Sequence, residues 1–345
     1  MNKANAGSFT DHPRKIKFRS EWAEPILRHL CERLNKKLVY LGLPGIKALD
    51  ILAWKSHLRK VIAFQADDYD GRSGDITAEE ELLELQRVLN ELEEKKFIET
   101  YALYIGYIEQ VVMSGEDNLG NPFVLNDYVT VYNLDFCNRM STPYEVVGPD
   151  FNTFKCYKID VIDKLLQIEK ERFLKGVDAC FVMFLTVNAH FIERMVSSIN
   201  NKIIKDYISK NLRGANGERR MVRLLKAYAF HALSEVFEKH DFHFEILPTI
   251  YYQGSGNYYD DVRKKDVPYW LSTFTVFGTP KRLNQPSISF EQDFGDFLIK
   301  KFVFINDRDI SCYTEAKSSI HEIDFDVRIQ TILSESKTLT ELWSS

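Results

Sequence analysis

Residues 38–45, Leu-Val-Tyr-Leu-Gly-Leu-Pro-Gly, constrain the fold of this chain more than any other stretch. Four mostly apolar residues run into Gly42, Pro44 and Gly45, and residues 47–58 then carry Leu49, Leu52, Ala53 and Trp54 on one helical side. The pattern predicts a buried strand, a glycine turn and a helix start. A turn of this kind gathers backbone N–H groups and the positive end of a helix dipole toward one point, which suits an anionic group or the polar edge of a nucleotide. Gly-x-Pro-Gly also makes an ordinary turn between strand and helix, so the segment marks a place rather than a ligand.

What surrounds this segment repeats its logic. Residues 19–35 place Trp22, Ile26, Leu27, Leu30 and Leu34 at helical spacing ahead of the glycine strand, and residues 1–19 read as a mobile basic arm. Residues 60–65 form a second short apolar run, so strand, helix and strand make a parallel unit. Thr77 with Glu80 is a capping box that opens an acidic helix with Leu82, Leu85, Leu89 and Leu92 on its apolar face. Residues 97–106 predict a third strand, 108–113 a short helix, 128–132 a fourth strand ending in Asn133-Leu134-Asp135-Phe136, 160–175 a helix and 179–187 a fifth strand. Helices are expected at 191–211 and 218–239. Residues 242–252 and 269–278 then predict an antiparallel hairpin joined by a tyrosine-rich loop.

Composition closes off other classes. With 345 residues, 45% of them hydrophobic, the chain can bury a large core. Its net charge of −5 supplies no global field for nucleic acid, so any such binding has to be local. Five cysteines, odd in number and widely spaced, argue against a disulfide framework and for a cytoplasmic setting. No apolar run long enough to span a bilayer is present, and a signal peptide and membrane partner are not expected. No Gly-x-Ser-x-Gly elbow, P-loop or His-Glu-x-x-His occurs, and the scattered histidines suggest no metal site.

Five β-α units followed by an antiparallel hairpin resemble the class I, Rossmann-like S-adenosylmethionine-dependent methyltransferases, over roughly residues 20–280. The helix before the glycine strand is also similar, more loosely, to the three-Cys-motif partner proteins. The resemblance implies an α/β fold: a mostly parallel sheet with an antiparallel terminal β-hairpin, helices on both faces, and residues 281–345 as a small C-terminal appendage of accessory or oligomerisation type. It implies S-adenosylmethionine as cofactor, held by Tyr40, Gly42, Pro44, Gly45, Gln65, Asp67, Gly106 and Tyr107. The family usually carries carboxylates where this chain has Tyr40, Gln65 and Tyr107, unless Asp67 or Asp68 takes over with a shifted register. Exchanging a charge-assisted hydrogen bond for a neutral one costs on the order of 1–3 kcal/mol. The resemblance therefore leaves two functions open: methyl transfer, with nucleic acid as one acceptor class, or a degenerate methyltransferase fold serving as a binding or scaffold subunit.

Two further groups carry chemistry. Asn133, Asp135 and Phe136 match the ends of the fourth-strand motif with which amino-methyltransferases hold and stack a target base, without its prolines. The other reading makes Asn133 and Asp135 caps and Phe136 core. Arg213, Arg219, Arg223 and Lys226 belong to a stretch of local charge +6 that suits phosphates, or equally a solvated helix face pairing with the acidic helix of this or another subunit.

Overall fold

The computed structural model describes residues 13–66, 78–136, 138–148, 152–173, 180–189, 202–211, 218–247, 249–260, 265–281 and 303–305. Strands β1 (Leu38–Gly42), β2 (Leu58–Gln65), β3 (Thr100–Ile105), β4 (Val131–Asp135) and β7 (Phe181–Asn188) form the parallel part of one sheet in the order β3-β2-β1-β4-β7. β10 (Lys265–Pro280) follows antiparallel to β7, and pairs antiparallel with β8 (Phe242–Ile246) through one end and β9 (Ile250–Asp260) through the other. β8 and β9 thus act as one interrupted strand. The result is a doubly wound, mostly parallel sheet ending in an antiparallel hairpin, the Rossmann-like methyltransferase topology that the sequence implies. β11 (Val303–Ile305) lies parallel on β9, so part of the C-terminal segment forms the sheet's outermost strand.

Burial explains the strand compositions. β1 and β7 are buried along their whole length, which is why both read as unbroken apolar runs rather than as alternation. Alternate residues face two cores. On one side a π-helical turn (Phe18–Ala23) that follows α1 (Pro13–Lys17), together with α2 (Glu24–Leu34), α3 (Leu49–Trp54) and α4 (Ala78–Glu94), covers Tyr40, Val61, Val182 and Phe184. On the other, α5 (Ile108–Ser114), α6 (Lys158–Phe173), α7 (Lys202–Asn211) and α8 (Glu218–Lys239) cover Val39, Leu41, Tyr132 and Leu185. In α4, Leu85, Leu89 and Leu92 are buried at the expected spacing, each removal of a leucine side chain from water contributing about 1.5–3 kcal/mol.

The structure corrects several expectations. Helix begins by Pro13, inside the segment expected as a mobile arm, and continues without a break to Leu34. α3 is shorter than 47–58, because Gly45 (φ 64°) and Ala48 (φ 46°) take left-handed conformations before it; Ile51 and Trp54 are buried, while Leu52 faces solvent. The tyrosine-rich segment is strand rather than loop. Tyr251 and Tyr252 are core residues, and Tyr251 stacks on Trp270 with ring centroids 4.7 Å apart. A separate hairpin, β5 (Tyr144–Val147) with β6 (Thr153–Cys156), has no counterpart in the sequence reading. Thr77 of the capping box, most of the helix expected at 191–211, and the terminal helix expected near 327–333 lie outside the described residues.

Candidate active site

β1 and β4 are neighbours, and their register sets Gly42 opposite Asn133. As the chain leaves β1, the Leu43 N–H donates to the Asn133 carbonyl at 3.1 Å, so the glycine turn stays against β4. A Cβ on Gly42 would stand 2.4 Å from that carbonyl oxygen and 2.7 Å from the Tyr40 hydroxyl, a space that only glycine fits. The turn delivers Asp50 in the first turn of α3 back over the same point. Asn133 Nδ2 donates to Asp50 Oδ2 at 2.7 Å and lies 3.3 Å from the Tyr40 hydroxyl. Two residues further along β4, on the same face, Asp135 completes a polar group at the carboxyl ends of β1 and β4.

The N-terminal helix supplies the opposite charges. Arg19, 5% exposed, lies 3.3 Å from Asp50, and Lys15 Nζ donates to Asp135 at 2.6 Å. Lys15 and Arg19 are four residues apart and so share one helical face. The helix is anchored by Trp54 Nε1 donating to the Arg19 carbonyl (3.1 Å), Trp22 Nε1 donating to Thr275 (2.8 Å), and Phe18 packed edge-on against Phe184. Burial pushes the Asp50 carboxyl up from its ordinary value, against the lowering by Arg19 and Lys15. Burial and the nearby Asp50 hold the Tyr40 phenol well above its usual range, so Tyr40 is a neutral hydrogen-bonding group here.

Of the residues expected to hold a cofactor, Tyr40, Gly42, Pro44 and Gly45 lie in β1 and its turn, with Tyr40 and Pro44 buried. Gln65 ends β2 half-buried, its Nε2 near the Ala66 carbonyl (3.4 Å), and its carbonyl accepts from the Gly106 N–H at 2.8 Å. Gly106 takes a φ of 129°, and the Tyr107 ring packs on Tyr144 at 4.7 Å. The strand order therefore brings Gln65, Gly106 and Tyr107 to the same edge as Gly42, one and two strands away. Asp67 and Asp68 lie outside the described residues.

Asn133 and Asp135 share the face beneath the N-terminal helix. Phe136 does not: it is 8% exposed and joins the core of Tyr132 and Leu134 on the opposite face. Strand alternation separates it from the two polar residues. Lys226 is corrected outright, because it is 2% exposed in a part of α8 where Leu224, Leu225 and Ala227 are also buried, and a buried ammonium cannot grip a phosphate backbone. Arg219 and Arg223 are in α8, and Arg213 lies outside the described residues. The sequence reading missed Asp50, Arg19 and Lys15. Their signals were an acid just after the glycine turn and a four-residue basic spacing in a segment taken for an arm.

The strand order of this sheet is that of the Rossmann-like methyltransferase fold. Solved structures of similar outline include a protein of Pyrococcus horikoshii crystallised as a candidate RNA methyltransferase (12% identity, 76% of this chain and 85% of that one, TM-score 0.33). Others are the YcgJ protein of Bacillus subtilis (8%, 75% and 99%, TM-score 0.35) and a SAM-dependent methyltransferase of Agrobacterium tumefaciens (15%, 79% and 63%, TM-score 0.33). TM-scores this low leave the fold to rest on the strand order itself. No protein-family model and no curated protein matches the sequence. No helix among the described residues is long and apolar enough to cross a membrane.

Proposed function

We propose that this chain is an S-adenosylmethionine-dependent methyltransferase whose cofactor lies across the carboxyl ends of β1, β2 and β4. The observation that carries the reading is the polar group of Tyr40, Asp50, Asn133 and Asp135 around Gly42, where no side chain fits, at the edge where α/β sheets of this topology bind ligands. Its donor set fits the group, since two carboxylates and an amide suit a cationic sulfonium with polar substituents. When bound, the cofactor supplies an already activated methyl group, so the protein's contribution is positioning. Gly42 and Gly45 would let the chain approach it, Gln65 and Tyr107 would border its nucleoside, and Asn133 and Asp135, beside the sulfonium, would also orient the acceptor.

Titration calorimetry of the purified protein with S-adenosylmethionine and with S-adenosylhomocysteine tests this reading. Micromolar binding supports it and opens an acceptor screen beginning with RNA and DNA; no heat and no thermal shift at millimolar ligand rejects it for the isolated chain. A second reading, a degenerate fold acting as a binding subunit, is favoured by one observation. The end of β2 presents the amide Gln65, and the residue after Gly106 is an aromatic engaged by Tyr144, so together with Tyr40 all three positions where the family carries acids have none.

A further inference from the structure

We propose that Asp50 and Asp135 form a carboxylate pair that reads the positive charge of the methyl donor, and that Lys15 is the internal cation the donor displaces. The inference rests on the cofactor reading above. Both carboxylates lie at one strand end, Asp50 tied to Asn133 and Asp135 two residues beyond it, and both counter-charges come from one face of one helix. Carboxylates taken largely out of water are costly unless paired, and Asp50 and Asp135 are only 17% and 16% exposed, so neighbouring cations stabilise this edge of the sheet. Lys15 and Arg19 supply those charges.

The two cations differ in how they are held. Arg19 is buried, and its backbone carbonyl is fastened to Trp54, so it belongs to the packed core. The Lys15 side chain is 34% exposed and reaches Asp135, 16% exposed, from the first turn of the helix. An ammonium in this setting exchanges with solvent at small cost, and a sulfonium placed beside the pair competes with it for the same charge. S-adenosylhomocysteine lacks the positive sulfur and makes no such demand. The ratio of the two affinities therefore reports the pair, whereas their common magnitude reports the pocket.

The experiment measures both dissociation constants for the full-length wild type and for Lys15→Ala, Asp50→Asn and Asp135→Asn. Lys15→Ala should tighten S-adenosylmethionine severalfold and leave S-adenosylhomocysteine within about twofold; Asp50→Asn should weaken S-adenosylmethionine by about tenfold at nearly unchanged S-adenosylhomocysteine. Asp135→Asn carries the same expectation should Asp50→Asn fold poorly. Parallel changes for the two ligands in all variants would overturn the role of the pair while leaving the cofactor reading intact. Binding of neither ligand by the wild type overturns the cofactor reading and this inference with it.

Discussion

Two carboxylates, Asp50 half-buried and Glu169 fully buried, sit on opposite faces of the same sheet in different surroundings. Asp50 is met by Arg19, Asn133 and, within electrostatic reach, Lys15 and Asp135, at an end of the sheet where three elements converge. Glu169, on α6, is fully buried beneath β4, where the Val129 N–H (3.2 Å) and the Tyr132 hydroxyl (3.1 Å) donate to one oxygen. Burial pushes its carboxyl up to about 7, opposed by those bonds and by Arg172. One acid is met by a cation fixed in the core, with the more exposed Lys15 on its neighbour Asp135, and the other by fixed dipoles. Burial alone therefore does not distinguish the two carboxylates; their partners do.

The comparison breaks most severely at Gly42, on the Asp50 side. Gly42→Val would drive a side chain into the Asn133 carbonyl and the Tyr40 ring, and should cost about 4 kcal/mol of stability in urea unfolding, with loss of any ligand binding. Asp50→Ala leaves Arg19 buried without its carboxylate, an expected loss of about 3–4 kcal/mol by the same measurement. Asp50→Leu should do no better, because the charge left behind is what costs.

Glu169 sharpens the contrast through pH. Its folded-state value lies above the unfolded one of 4.5, so as pH rises from about 4.5 to about 7 the unfolded chain releases a proton that the folded chain keeps. Stability falls across that window, by about 3 kcal/mol in all, and is lost no further above it. In Glu169→Gln this contribution should vanish, flattening the difference between unfolding curves at pH 5 and pH 7.5. An unchanged slope would show that Glu169 titrates normally and is not the fixed, dipole-held acid described here. Lys15→Ala is the mildest change, with less than about 1 kcal/mol expected in stability because the pair is partly solvated. Its effect should be read in ligand binding instead.

The sequence alone determined the order of elements along the chain. Glycine at 42 and 45 after an unbroken apolar strand, leucines at helical spacing in 78–94, and the change of style after Lys239 were sufficient for a parallel sheet closed by an antiparallel hairpin, since local periodicity and turn chemistry are short-range properties. They did not locate the hairpin β5–β6 or the strand character of Tyr251 to Tyr259, because aromatic residues suit a buried strand and an interface loop alike. Only the tertiary structure decided which polar residues meet. Asp50 reaches Asn133 across 83 positions, and Lys15 reaches Asp135 across 120. No spacing rule covers such separations. Lys226 makes the same point from the other direction: its basic neighbours suggested a solvated face, and packing of α8 against the sheet buried it. Charge is written in the sequence, but its exposure and its partners are set by what folds against it.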